Sequence, residues 1–127
     1  MIRHTFKKEE RLTNKTTFDL LFNTGKGFTV SPFRLLWMES KLTDSIPAKL
    51  GISVPKRSFA KAVDRNTLKR RIREAYRKNK HLLYEVLQKK NLHIDLMMIY
   101  IAKEELPYQE IEKKMIVSLQ KLMQQVE

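Results

Sequence analysis

A dense group of basic side chains marks the segment from residue 55 to residue 81. It carries eleven Lys and Arg against two acidic residues, Asp64 and Glu74, which is a net charge of +9 out of the chain's total of +12. An Arg side chain presents a planar fork of N–H donors that matches phosphate oxygens, and Lys adds a compact positive charge. The chemistry these residues could do is the binding of a polyanion, above all the phosphate backbone of a nucleic acid.

The pattern of the segment predicts a helix with two different sides. At 100° per residue, Leu68, Ile72 and Ala75 share an apolar side that can pack on a core. The opposite side gathers polar residues at separations of about one turn, comparable to phosphate spacing along a folded nucleic acid. We expect most of these residues to contact the backbone and to read no bases. They are Asn66, Lys69, Arg70, Arg73 and Arg77.

A basic helix face that is merely solvated is the plain alternative. Neighbouring like charges on a helix repel each other by about 0.2 to 0.5 kcal/mol per pair, and a solvated helix is expected to relieve that repulsion with interleaved Glu. This face has almost no interleaved acids. The uncompensated charge therefore favours an anionic partner.

Side chains for protein-based catalysis are not grouped in the sequence. There is no Cys, which excludes disulfides, thiolate catalysis and zinc sites with thiolate ligands. The three His residues, His4, His81 and His93, have no carboxylate or second ligand at a useful spacing. We therefore predict no catalytic residue in the protein and no metal site made wholly of protein ligands, because a phosphodiester hydrolase should show clustered carboxylates or a His pair. Three acids are predicted to be helix caps or helix charges: Asp19, Asp64 and Glu74.

Length and composition describe the molecule that must position these residues. The 127 residues predict one domain over residues 1–127, and 42% hydrophobic residues are enough for a core. The first ten residues carry charges and hold no apolar run of signal-peptide length. No stretch approaches the roughly 20 apolar residues of a membrane span. We expect a protein that has no membrane partner and stays in the cytoplasm.

The first half of the chain predicts one helix and then strands. Asn14 or Thr16 can cap a helix from about Lys15 to Thr24, and Gly25 suits a C-terminus with positive φ. From Phe28 the period becomes two, with Phe33, Leu35 and Trp37 alternating with Arg34, Leu36 and Met38, interrupted by Ser31-Pro32. A turn over Lys41 to Pro47 separates this pattern from a second strand, Lys49 to Val54, which stops at Pro55.

The second half predicts a helix, a strand and a helix. A helical period runs from Ala60 to about Lys90, with Asp64 as a cap, and it breaks near Asn91. The apolar run His93 to Ala102 is typical of a central strand, and Pro107 suits the first turn of a final helix. The order of helix, strands, helix, strand and helix predicts an α+β fold around one small mixed sheet.

Two stretches of the sequence resemble a known family. The first is Val54-Pro55-Lys56-Arg57, and the second is the run from Ala62 to Arg77, which contains Arg65-Asn66-Thr67-Leu68-Lys69-Arg70. Together they resemble the signature helix of the bacterial ribonuclease P protein. Members of that family also begin with a basic tail and a helix with two Phe four apart, as Phe18 and Phe22 are here. The resemblance covers nearly the whole chain.

The resemblance implies a fold and a set of binding residues. The fold would be like the second domain of ribosomal protein S5, with a left-handed β-α-β crossover that the general handedness rule opposes. The signature helix would dock on a catalytic RNA through Arg65, Asn66, Lys69, Arg70, Arg73 and Arg77. A cleft between the sheet and the first helix would take the single-stranded 5′ leader of precursor tRNA, and the matching positions are Phe18, Phe22, Lys56 and Arg57. Exposed aromatics can stack on bases while cations follow the backbone.

The resemblance also implies an activity. The protein would be a subunit of ribonuclease P, an endonuclease that removes the 5′ leader from precursor tRNA, with the hydrolysis done by the RNA and its Mg²⁺. It would act as a monomer in the holoenzyme. One position departs from the family, whose signature is commonly Arg-Asn-Arg, because Thr67 stands third. Lys69 and Arg70 would then carry the charge, and the Thr67 hydroxyl could donate to a phosphate.

Two other classes of protein fit part of the pattern. A ribosomal or other structural RNA-binding protein of the same fold would show the same basic helix. A DNA-binding regulator with a recognition helix at Arg65 to Lys80 fits less well, because a helix-turn-helix needs a preceding helix and the sequence before Lys56 is typical of a strand.

Overall fold

A four-stranded mixed sheet forms the centre of the molecule, which a computed structural model describes for residues 6–40 and 46–126. The strand order is β1-β2-β4-β3. β2 is antiparallel to both β1 and β4, whereas β3 is parallel to β4. The mixed sheet confirms the predicted α+β class. The strands are β1 (Lys26–Val30), β2 (Phe33–Glu39), β3 (Ala48–Ser53) and β4 (Ile94–Tyr100).

Helices cover both faces of the sheet. One face carries α1, and the other carries the remaining three helices, so that the sheet is the middle of three layers. A short 3-10 turn, Lys8–Glu10, precedes α1, and the residues after it run along the outer edge of β3. No described helix is long and apolar enough to cross a membrane. The helices are α1 (Lys15–Thr24), α2 (Ala62–Asn79), α3 (His81–Lys89) and α4 (Tyr108–Val126).

The alternation in β2 explains why both faces are covered. Phe33, Leu35 and Trp37 are buried on the side of α2 and α4, in the larger core. Leu36 is buried on the opposite side, where it meets Leu21 of α1 in a smaller core. A strand that is apolar on both faces needs a helix layer on each. The predicted strand pattern is therefore confirmed.

The connection from β3 through α2 and α3 to β4 is left-handed. Ile94 points its side chain into the core beneath these helices, and its N–H donates to the Pro47 carbonyl on the β3 side, at 2.9 Å. We view the sheet from the side of these helices, with β4 running upward and the Ile94 side chain pointing toward the viewer. In a strand of L-residues, the N–H of a residue in this orientation points to the right. β3 therefore lies to the right of β4, and the chain steps leftward as it crosses over the sheet. The predicted exception to the handedness rule is confirmed.

Three details of the helix ends differ from the predictions. Gly25 has φ −69°, so it does not need the left-handed region; a Cβ there would lie 2.5 Å from the Leu21 carbonyl oxygen, and this close approach is what requires glycine. The long helix is two helices, divided at Lys80, whose side chain is buried against Glu10. The N-cap of α2 is Lys61, and Asp64 lies inside the first turn.

Other boundaries agree with the sequence or lie outside the described residues. Asn14 caps α1 by accepting from the Thr16 N–H at 2.9 Å, and Asn91 turns the chain before β4 with φ 53°. Pro107 stands one residue ahead of α4. Residues 41–45 of the predicted Lys41 to Pro47 turn are outside the described part of the chain, as is His4.

Candidate nucleic-acid interface

The packing of α2 fixes the basic face in space. Leu68, Ile72 and Ala75 are fully buried beneath the helix, together with Tyr76. Each buried Leu or Ile stabilises the fold by about 1.5 to 3 kcal/mol, which exceeds the repulsion of about 0.2 to 0.5 kcal/mol between neighbouring cations. The core therefore holds a helix whose outer charges oppose one another. The predicted separation of core and cations is confirmed.

Three cations of α2 have no acidic partner among the residues that the structure describes. Lys69 and Arg73 are half-buried along one flank of the helix. Arg70 and Asn66 are exposed on its outer side. Within residues 6–40 and 46–126, no ion pair involves any of these three cations. They form a compact group on successive turns of one helix. Lys69, Arg70 and Arg73 are called the cation triad below.

Arg65 has a structural contact that the sequence did not indicate. Its guanidinium donates from Nη1 to the carbonyl oxygens of Phe59 and Ala60, both at 2.8 Å. These bonds fasten the start of α2 to the loop that follows β3. Arg65 thereby fixes the segment that carries Lys56 and Arg57, in addition to its predicted role toward RNA.

Arg77 is on the predicted face but is paired. Its guanidinium donates to both carboxylate oxygens of Glu74, at 2.5 and 3.1 Å. The hydrogen bonds from Arg77 hold the pKa of Glu74 below its ordinary value. The pair contributes no net charge, so the predicted contribution of Arg77 to the positive field is smaller than that of the cation triad.

Thr67 also has a partner within the helix. Its hydroxyl donates to the Val63 carbonyl oxygen one turn earlier, at 2.9 Å. A phosphate oxygen only accepts hydrogen bonds, so the hydroxyl in this orientation cannot donate to one. Thr67 would have to give up this bond to donate to a phosphate, and the expectation that it does so stays a prediction.

The face of the sheet under α1 holds the two predicted aromatics. Leu21 is fully buried against Leu36 and Met97. The Phe18 ring is half-buried and lies on β3, where a Cβ at Gly51 would be 2.4 Å from its Cε1 atom. Gly51 thus makes room for the ring. Phe22, one turn further along α1, is 57% exposed.

The two aromatics therefore have different surroundings. Phe18 packs against the smaller core and is half-exposed. Phe22 is mostly exposed and, among the described residues, is not part of either core. An exposed aromatic beside a sheet is suited to stacking on an unpaired base.

The two predicted basic residues after β3 lie on a turn. Lys56 and Arg57 are both exposed there, beyond the end of the strand on which Phe18 rests. Arg57 shares a shallow depression of about 590 Å³ with Ile101 and Lys103, which follow β4. Because β3 and β4 are parallel, the residues that follow them lie together at the same end of the two strands.

Sequence reasoning missed three basic residues near these surfaces. Arg34 is exposed on β2, on the same side as Leu36, and pairs in register with Ile99 of β4. Lys103 lies in the depression beside Arg57. The alternation of β2 already placed Arg34 on the face opposite Phe33, so that signal was available. Arg11 lies in the segment before α1, where no periodicity indicated a position.

A buried polar cluster ties this N-terminal segment to the junction of α2 and α3. Glu10 and Lys80 are each only 4% exposed and form an ion pair. The Glu10 carboxylate also accepts from the Tyr84 hydroxyl and the Lys7 N–H, both at 2.6 Å. Burial alone would raise the pKa of Glu10, but these hydrogen bonds together lower it below its ordinary value.

Three further titratable residues named in the sequence analysis lie on different parts of the fold. His81 opens α3 and His93 precedes β4, and Asp19 is exposed on α1. Within residues 6–40 and 46–126, no three His, Asp or Glu side chains are grouped so as to hold a metal ion.

Comparison with known proteins gives a consistent set of similarities. The family model for ribonuclease P matches residues 6–124. The chain is 35% identical over 112 residues to the ribonuclease P protein component of Porphyromonas gingivalis, covering 88% of this chain and 82% of that one. It is 43% identical over 72 residues to the protein of the same description from Legionella pneumophila, covering 57% and 60%.

Solved structures show the same similarity in three dimensions. The ribonuclease P protein from Thermotoga maritima superposes with a TM-score of 0.69 at 28% identity, covering 88% of this chain and 96% of that one. A mutant ribonuclease P protein from Staphylococcus aureus gives a TM-score of 0.70 at 23% identity, covering 90% of each chain, and supports the fold alone.

Proposed function

The chain belongs to the ribonuclease P protein family, and from that premise we propose that it is the protein subunit of a ribonuclease P that binds the catalytic RNA and the 5′ leader of precursor tRNA. In this proposal the holoenzyme cleaves the phosphodiester that joins the leader to the mature tRNA. The protein supplies binding and charge, and the RNA with its Mg²⁺ supplies the hydrolysis.

The observation that carries the proposal is the cation triad on a helix anchored by its opposite side. Lys69, Arg70 and Arg73 are held on successive turns, without acidic partners in the described part of the chain. A rigid array of cations lowers the repulsion between two RNA molecules that must approach each other, and it does so without reading their sequence. Asn66, Arg65 and Arg77 lie on or beside the same helix face and complete the proposed contact with the catalytic RNA.

The α1 side of the sheet supports the second half of the proposal. An unpaired leader strand needs aromatic rings for its bases and cations for its phosphates. Phe22 and Phe18 supply the rings, and Lys56 and Arg57 supply cations beyond the same strand. We further propose that the protein works as a monomer within the holoenzyme, in the bacterial cytoplasm where precursor tRNA is made.

Reconstitution tests the whole proposal. We expect the purified chain, added to a ribonuclease P RNA at low Mg²⁺, to restore cleavage of precursor tRNA at the mature 5′ end, because protein cations replace part of the Mg²⁺ that screens the two RNAs. Cleavage is measured by gel electrophoresis of end-labelled substrate.

The control for reconstitution is an RNA of similar length and unrelated fold. A structural RNA-binding protein would bind both RNAs and restore no cleavage. Equal affinity for the ribonuclease P RNA and for random duplex DNA would contradict the assignment.

Replacing Phe22 with Ala should separate leader binding from folding. We expect the affinity for precursor tRNA with a long leader to fall by about 1 to 3 kcal/mol, the value of one base stacked on one aromatic ring. The affinity for mature tRNA should be unchanged, because it has no leader. Stability should also be unchanged, since the ring is 57% exposed.

Leu82→Ala is the matched control for this variant. Leu82 is 51% exposed on α3, on the opposite layer from α1, so its loss should affect neither substrate. Phe18→Ala should weaken leader binding and also lower stability, because its ring packs over Gly51. Equal loss of affinity for both substrates in Phe22→Ala would remove this ring from the leader path.

A further inference from the structure

A groove runs along the outer edge of β3, between the N-terminal segment and α2. Its volume is about 190 Å³. One wall comes from the residues just before α1, the other from α2, and the floor is the edge strand itself. The residues that form it include Arg11, Thr13, Gly51, Ile52, Lys69 and Arg73. This feature is called the edge groove.

The edge groove carries positive charge only. Arg11 comes from one wall, Lys69 and Arg73 come from the other, and no acidic side chain of residues 6–40 or 46–126 lines it. A larger cavity of about 320 Å³, which Arg11 also lines, lies against α1 and differs in this respect, because Glu39 and Asp95 line it. Three cations from two distant parts of the chain converge on one small space, which favours a compact anion.

The position of Arg11 is set by the fold. Its guanidinium carbon lies 5.6 Å from the centre of the Phe6 ring, which also lines the edge groove. Its backbone bridges to Leu50, and the N–H of Leu12 donates to the Leu50 carbonyl at 2.9 Å. The adjacent Glu10 is buried against Lys80. The wall that carries Arg11 is therefore built before any ligand arrives.

The floor of the edge groove offers a backbone donor. Groups on alternate residues of a strand point to the same side, so the N–H of Ile52 points outward like the Leu50 carbonyl. Leu12 occupies the edge at Leu50, but the chain then turns into α1. Among residues 6–40 and 46–126, no backbone acceptor takes the Ile52 N–H on this side.

We propose that the edge groove is a preformed site for a single phosphodiester group of the RNA backbone, held by Arg11, Lys69 and Arg73 with the Ile52 N–H as a fourth donor. The site rests on the proposed function, because it lies beside the α2 face that is assigned to RNA. It extends that interface beyond the helix to the N-terminal segment and the sheet edge. The site would recognise the charge and shape of a phosphate group. It would not read the RNA sequence, because none of these donors is assigned to a base.

Two measurements on the full chain test the site. In the first, inorganic phosphate is titrated while the amide resonance of Ile52 is followed by NMR. We expect a saturable shift in the wild-type chain that Arg11→Gln or Arg73→Gln abolishes and Arg70→Gln leaves in place, because Arg70 does not line the edge groove. In the second, the affinity for ribonuclease P RNA is measured against salt.

In the salt series, Arg11→Gln should reduce the slope of log affinity against log salt by about 0.7 to 0.9, the value for one phosphate contact. Affinity should fall about ten-fold, and Arg11→Lys should retain most of it. Arg73→Gln gives an independent result if Arg11→Gln unfolds, since Arg73 is anchored in α2.

The outcomes separate this proposal from the proposed function. If Arg70→Gln lowers the slope and Arg11→Gln does not, the RNA docks on α2 and the edge groove is not a phosphodiester site. If phosphate shifts Ile52 but no variant changes the RNA slope, the groove binds free anions only and the proposal is overturned. If the chain shows no preference for ribonuclease P RNA, the proposed function fails whatever phosphate does.

Discussion

Replacing Lys69, Arg70 and Arg73 together with Ala is expected to reduce the slope of log RNA affinity against log salt by roughly 2 to 3, because each phosphate contact contributes about 0.7 to 0.9. Affinity for ribonuclease P RNA should fall correspondingly more at low salt than at high salt. The three side chains lie outside the buried set of α2, so the free energy of unfolding should stay the same or rise slightly as repulsion is relieved. Binding is measured by filter retention between about 50 and 200 mM salt.

The matched control removes the same charge elsewhere. Lys89, Lys90 and Lys113 are exposed on or next to α3 and α4, so their replacement with Ala lowers the net charge equally without touching the cation triad. If binding depends only on net charge, both triple variants will lose the same slope. That result would contradict a defined interface on α2, whereas a loss confined to the triad supports it.

For α2, the sequence could predict which side of the helix is buried but not the contacts of individual side chains. Helical periodicity placed Leu68 and Ile72 inward and Arg70 outward, because amphipathicity alone decides which side of a helix is buried. It could not show that Arg65 donates to the Phe59 carbonyl or that Arg77 pairs with Glu74. Those contacts depend on rotamers and on a loop conformation, which periodicity does not contain.

The same holds for the fold: sequence patterns predicted the strands, whereas features that depend on distant contacts were not predicted. The two-residue period of β2 and the apolar run of β4 were sufficient to predict strands, and the apolar run also indicated that β4 is central. The division of the long helix at Lys80 was not predictable, because it accompanies an ion pair with Glu10, seventy residues away in sequence. The left-handed crossover was expected from the family resemblance alone, because the general rule predicts a right-handed connection.

The cleft beneath α1 was only partly predictable. Two Phe four residues apart on a helix share a face, and the sequence could not say whether that face is core or surface. The structure divides them, because Gly51 leaves room for the Phe18 ring on the sheet whereas Phe22 extends past it. The space above Gly51 depends on the sequence of β3, so it could not be predicted from the sequence of α1.

Replacing Glu10 with Ala is expected to destabilise the fold by about 3 to 5 kcal/mol. The substitution leaves the ammonium group of Lys80 buried without its partner, and an uncompensated buried charge is costly. The double variant Glu10→Leu with Lys80→Met should recover much of the loss, since neither charge remains and Tyr84 keeps its hydrogen bond to the Ala48 carbonyl at 3.2 Å. The free energy of unfolding is measured by urea denaturation at pH 7.

Acidity provides a second readout of the same pair. The folded protein holds the pKa of Glu10 below its ordinary value of 4.5, so the unfolded chain takes up the proton first as pH falls. The stabilisation is complete above about pH 4.5 and is lost as pH drops through the folded pKa. Wild-type stability should therefore decline more steeply below pH 4.5 than that of the double variant.

The neighbouring residue supplies the control for the stability measurement. Glu9 is exposed in the same 3-10 turn, and its replacement with Ala should leave the free energy of unfolding at pH 7 unchanged. If Glu10→Ala behaves like Glu9→Ala, the buried pair does not hold the N-terminal segment against α2 and α3. The wall of the edge groove would then have to be held by the contacts of Arg11 and Leu12 with β3 alone.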